Sequence, residues 1–283
     1  KFATQAVNHS IGVMTAKDDA AQMSQGAGMT FRNNIEWLAG NYNEARMGSS
    51  IFSYLMGYED PRLNVYFLPM DGNASYGVEA FNGKTYQAVP AGHANAQNDI
   101  YKSCSKPNIQ SGTPTYWLRA SEVYFLRAEA ALVWEGFGSA DSWYKQGIDM
   151  SFQENGVTEP VDDYMNSNLS PRAYVLSHYQ YGQTLSAPCE TTVKFEGTTE
   201  QKLEKIMIQK WIALFPNGQE AWTEWRRTGY PKLNVIKTLK GAVQGATLEG
   251  GIRRMIYPTS FSQTNEGKAI YCLLYTSDAA DEL

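Results

Sequence analysis

Between Thr115 and Gln153 the chain carries two runs of helical periodicity separated by Gly136-Phe-Gly138, and this pair limits the possible folds more than any other feature. In the first run, read as a helix over Thr115–Trp134, Leu118, Glu122, Phe125 and Glu129 recur every three or four residues. Trp117, Ala120, Tyr124, Ala128 and Ala131 form a second such series, and Trp117, Trp143, Trp211 and Trp222, on helical faces, read as core. In the run Ala140–Gln153, the residues Ala140, Trp143, Gly147, Ile148 and Ser151 share one face, and Gly156 supplies the stop.

Two helices joined by a glycine turn, with small residues at their crossing, resemble a tetratricopeptide hairpin over about 115–153. Such a hairpin needs stacking neighbours to bury its faces. Thr199–Phe215 is a third helix, with Leu203, Ile206, Met207, Ile208 and Trp211, and Gln219–Arg227 a shorter one that Gly229-Tyr-Pro231 ends. Helical character is also expected over Lys1–Gln25, chiefly Lys1 to about Thr15, and over Ile51–Met56. Gly26–Ser50 reads as loop on its Gly and Asn content, Tyr58–Leu63 as a turn around Pro61, and Asn64–Met70 as a weak strand. Asp71–Asn98, the polar insertion Asn155–Glu196 and Leu233–Ala269 read as irregular. The fold class expected is mainly α.

Composition excludes several functions. The chain has 13% aromatic and 19% charged residues, which is too aromatic and too weakly charged for a disordered chain. No basic run offers a footprint for nucleic acid, and no stretch approaches the ~18 apolar residues of a membrane span. The end, Cys272–Leu283, continues no preceding pattern and resembles a translated sequencing adapter; it reads as a non-native tail. Leaving out its Asp278, Asp281 and Glu282 moves the net charge from −5 to −2, so charge singles out no partner. Cys104 and Cys189 then remain, either as free thiols or as a disulfide.

Catalytic chemistry finds little support. His9, His93 and His178 lie in unrelated contexts, without a nucleophile elbow, and no metal-ligand spacing occurs. Asp18-Asp19 and Asp162-Asp163 read as solvated ends. Glu220 and Glu224 share a helix face, but Arg226 and Arg227 follow them, which points to an ion-pair network rather than a glycosidase pair. No catalytic residue, metal or cofactor is expected. Aromatics placed in polar loops are a different signal. Trp37, Tyr42, Tyr76, Phe81 and Tyr86 lie among Asn, Asp and Gly, and Trp37 is flanked by Arg32, Asn33, Asn34, Asn41 and Asn43. A pyranose offers an apolar C–H face to such rings, while amides and guanidinium groups bind its hydroxyls.

The segment Ile208–Pro231, containing Asn217-Gly-Gln-Glu-Ala-Trp-Thr-Glu-Trp-Arg-Arg-Thr-Gly-Tyr-Pro231, resembles the SusD/RagB family. So do Gly57-Tyr-Glu-Asp-Pro-Arg-Leu63, Arg119–Leu132 and Arg253-Arg-Met-Ile-Tyr-Pro258, in the same order. The resemblance implies a SusD-like α-helical fold over 1–271, with tetratricopeptide-like hairpins supporting a loop-rich ligand face, and a chain matching the C-terminal half of the family. It implies a non-enzyme on the outer surface of the outer membrane, held by an N-terminal lipid anchor absent from this chain. The implied ligand is an oligosaccharide or polysaccharide, or a peptide, delivered to a SusC-like TonB-dependent transporter. No family motif fixes the ligand residues. Trp37 and Tyr42 are the first candidates for glycan stacking, and Tyr76 and Tyr86 the second. A helical interaction scaffold without a sugar site and a glycoside hydrolase are the alternatives.

Overall fold

A computed structural model describes residues 1–28, 30–70, 79–90, 92, 101–176, 182–236 and 263–267. The chain divides into two units, Lys1–Val235 and Ile236–Leu283. In the second unit the described residues hold a short helical turn in which Gly267 N–H donates to Thr264 Oγ1 (2.9 Å). The tail Cys272–Leu283 lies outside the described residues.

The first unit is mainly α, as expected. Among the described residues its α-helices, in chain order, are α1 (Phe2–Val7), α2 (Asn34–Gly40), α3 (Ser49–Gly57), α4 (Leu63–Tyr66), α5 (Ala120–Val133), α6 (Ala140–Glu154), α7 (Val161–Met165), α8 (Thr199–Ala213) and α9 (Gly218–Thr228). Strands among these residues form three two-stranded antiparallel ribbons: β1 (Ala21–Met23) with β4 (Thr115–Leu118), β2 (Glu79–Phe81) with β3 (Lys84–Tyr86), and β5 (Tyr174–Leu176) with β6 (Gln183–Leu185).

The expected hairpin is α5 with α6. Ser121 bonds Glu154, Gly147 lies under the Phe125 ring and Arg127 covers Trp143, so the helices run antiparallel. Gly147 is needed there, since a Cβ would stand 2.8 Å from the Phe125 ring. Helix α8 packs on this pair and is buried over most of its length. Thr198 and Gln201 close a reciprocal cap at its start, and Gly229, at φ 73°, ends α9 in the left-handed conformation that glycine adopts without strain.

Several expectations change. Thr115–Leu118 is a strand, not the first turn of a helix, and α5 begins only at Ala120. Thr-Tyr-Trp favours extended backbone, and the strand that pairs with it lies at residues 21–23, far away in sequence. The N-terminal helix stops at Val7, before Asn8, Ser10 and Gly12, and Ala21–Met23 is strand. Within the supposed loop Gly26–Ser50, Asn33 caps a real helix, its side chain accepting from Ile35 N–H (3.1 Å). The weak strand Asn64–Met70 is a helical turn followed by a single bridge from Phe67 to Pro107. Asn82-Gly83, both at positive φ, turn the β2–β3 hairpin inside the stretch read as irregular.

The core also holds a polar cluster. Arg62, fully buried, pairs with Asp60 (2.6 Å) and donates to Gln209 (2.7 Å) and Ser151 (3.1 Å). Its guanidinium also lies over the Phe152 and Tyr164 rings. The Tyr164 hydroxyl donates to Asp60 (2.6 Å) and accepts from Gln209 (2.9 Å). The Asp60-Pro-Arg62 turn is thereby tied to α6, α7 and α8. Cys104 and Cys189 are free, and burial pushes the Cys104 thiol up to about 12, which keeps it unreactive.

Candidate functional site

Helix α2 and the turn that follows it carry the aromatic pair that the sequence placed first. The Trp37 and Tyr42 rings meet edge to face, with centroids 4.3 Å apart and planes at 64°. Trp37 is half-buried and Tyr42 is 52% exposed, so the pair offers an angled apolar surface to solvent. Both ends of the segment are fixed. Asn33 N–H donates to Ser111 O (2.8 Å) and its side chain to Thr113 O (3.0 Å). At the other end the Arg46 guanidinium donates to Ala39 O (3.1 Å), Ala45 O (2.8 Å) and Lys102 O (3.0 Å), and also bonds Asn43. Arg46 and Asn43 therefore hold the platform rather than face a ligand.

At the start of α2 lies an open groove of about 490 Å³ lined by Met23, Thr30, Phe31, Arg32, Asn34 and Thr115, among others. Arg32 pairs with Glu36 across one helical turn (2.8 Å) and stays 46% exposed, and Asn34 is exposed. The groove thus combines apolar walls with a guanidinium and an amide able to meet hydroxyl groups.

The other candidates divide. Tyr86 is fully buried, its hydroxyl donating to Asn64 Oδ1 (2.7 Å); its ring has no face for a ligand, and this corrects the sequence reading. The alternation of the β2–β3 hairpin turns Tyr86 inward, a choice that local composition does not reveal. Tyr76 lies outside the described residues. The sequence reading also missed one exposed ring. Trp117, assigned to the face of a core helix, is on strand β4 and 62% exposed. Trp143 and Trp211 do pack inward: the Trp143 indole N–H donates to Phe137 O (2.7 Å), and Trp211 rests on Tyr54.

Glu224 joins the ion-pair network expected for it. Arg227 bonds both Glu224 and Glu129, and Lys210, 1% exposed, lies 3.0 Å from Glu224 and 3.5 Å from Glu122. Among the described residues no group of three His, Cys, Asp or Glu could hold a metal ion. No helix among them is long and apolar enough to cross a membrane.

A sequence profile of the SusD-like family, described as SusD and RagB outer membrane lipoprotein, matches residues 1–279, past the boundary at 271 drawn from the sequence. A comparison with curated protein sequences gives no match. Among solved structures, a chitin-binding SusD homologue from Flavobacterium johnsoniae superposes with a TM-score of 0.80 at 33% identity, covering 95% of this chain and 54% of its own. A SusD homologue from Bacteroides thetaiotaomicron gives 0.78 at 33% identity, covering 93% and 53%. One from Bacteroides vulgatus gives 0.78 at 34%, covering 93% and 52%. The chain spans about half the length of these relatives. With the family profile matched over nearly the whole sequence and the fold shared at a third of positions identical, the chain belongs to the SusD-like family of outer-membrane lipoproteins.

Proposed function

We propose that this chain forms part of the ligand face of a cell-surface glycan-binding lipoprotein, with α2 and its groove contacting the sugar. The observation that carries the reading is the Trp37–Tyr42 pair, clamped at both ends and open to solvent beside Arg32 and Asn34. An angled pair of rings suits the apolar face of a pyranose, and groups already held in place lose little entropy on binding. Members of this family are carbohydrate-binding proteins and not enzymes. The whole protein would sit lipid-anchored on the outer membrane and pass captured oligosaccharide to a SusC-like TonB-dependent transporter.

Calorimetric titration with chitohexaose and maltohexaose tests the sugar site. The double change Trp37→Ala with Tyr42→Ala should weaken the bound sugar at least tenfold while the chain stays folded. Unchanged affinity would remove α2 from the site. Co-purification of the full-length protein with a transporter from outer membranes tests the delivery step.

A further inference from the structure

The charge at the α2 groove is already answered from within the chain. Among the described residues that line the groove, Arg32 is the one with a formal charge, and Thr30, Asn34 and Thr115 supply neutral polar groups. The Asn33 side chain is engaged, accepting from Ile35 N–H and donating to Thr113 O. Glu36 Oε2 accepts from both Arg32 Nε (3.1 Å) and Arg32 Nη2 (2.8 Å), so it occupies one of the two-pronged edges by which a guanidinium grips a carboxylate. The two residues are one helical turn apart, and the Glu36 side chain, 28% exposed, lies deeper than its partner at 46%. At the other end of the platform, Arg46 turns its guanidinium to the carbonyls of Ala39, Ala45 and Lys102, while Glu44, just after Tyr42, is exposed.

A hydroxyl group and a carboxylate meet this arrangement differently. The guanidinium has five N–H donors, so a sugar hydroxyl can accept from one that Glu36 leaves over without disturbing the pair. A uronate or sulfate group must either share Arg32 with Glu36, which places two like charges on one cation, or displace Glu36 from it. Either course is a repulsive element against an acidic ligand that a neutral one never meets. We propose that Glu36 is a specificity-determining residue, and that by neutralising Arg32 it makes the α2 groove select neutral oligosaccharides over uronic-acid or sulfated ones. The proposal rests on the reading of α2 as a sugar platform and adds to it the charge of the ligand and the residue that sets it.

The test is calorimetric titration with maltohexaose and chitohexaose, each beside the same hexaose oxidised at C6 to the uronate. The proteins are the parent chain, Glu36→Gln, Glu36→Gln with Arg32→Met, and Trp37→Ala with Tyr42→Ala, with urea unfolding of each to keep binding loss apart from misfolding. The parent should bind the neutral hexaose about tenfold more tightly than its uronate. E36Q should narrow that ratio about fivefold or more, through uronate binding that weakens as salt is added, and loss of Arg32 as well should remove the gain. A parent that binds the uronate as tightly as the neutral sugar overturns the proposal. So does a ratio unmoved in E36Q, or a gain that survives the loss of Arg32. If the double ring variant binds neutral hexaose like the parent while E36Q shifts the ratio, the ring platform fails and the charge selection stands. If the rings matter and the ratio stays, the reverse holds. A parent chain that binds none of the four sugars overturns both.

Discussion

Arg62 and Arg32 each pair with a carboxylate close in sequence, Asp60 two residues before and Glu36 four residues after, yet one pair is at 0% exposure and the other largely open. The buried guanidinium is satisfied by Asp60, Ser151 and Gln209 and covered by two rings. Removing either member strands a charge in the core. The exposed pair gains little from Coulomb attraction in water, and its value lies in keeping a polar group at the edge of a groove. Similar residue types thus hold the fold in one place and face solvent in the other, and the difference is desolvation.

The sharpest way to break this comparison is Arg62→Ala, which should cost about 3–5 kcal/mol in urea unfolding. A loss under about 1 kcal/mol would show that the buried cluster does not organise the core. Next comes Gly147→Ala, whose added Cβ meets the Phe125 ring at 2.8 Å; about 1–3 kcal/mol should be lost, with sugar binding retained. A ligand effect from this hairpin change would join the two regions that the comparison separates.

Glu122 gives a smaller, pH-dependent effect. Burial pushes its carboxyl up to about 7, and the nearby Lys210 only partly opposes this; Glu220 and Glu224 add repulsion. Glu224, also penalised by burial, is held below the usual range by hydrogen bonds from Arg227 and the charge of Lys210. Between about pH 4.5 and 7 the folded chain keeps a proton on Glu122 that the unfolded chain has lost. This contribution to stability is present at low pH and declines as pH rises through that window. Glu122→Gln should flatten that decline in melting temperature measured from pH 5 to 8. An unchanged slope would assign the pH dependence to another group. The smallest effect is Arg32→Ala, within about 0.5 kcal/mol of the parent in stability while sugar affinity falls.

Helix positions were readable wherever the apolar period and a local cap coincide, as in α6, α8 and α9. Reading failed where an element depends on a distant partner. Thr115–Leu118 fits a helical period and a strand equally well, and β1 decides between them. The candidate site divides the same way. Trp37 and Tyr42 stand out because they lie in a polar stretch, but Tyr86, chosen by the same criterion, is core, and Trp117, read as core, is open. A ring's neighbours in sequence say little about which side of a ribbon it occupies.

By itself, the sequence determined the helical class, the α5–α6 hairpin, the glycine at its crossing and the motifs of the family, because these rest on local period, steric size and residue identity. Only the tertiary structure decided that the Asp60-Pro-Arg62 turn is a buried anchor and that Trp117 is exposed on β4. Burial is a property of what packs on a residue, and for these positions the packing partners lie on the distant segments β1, α6, α7 and α8.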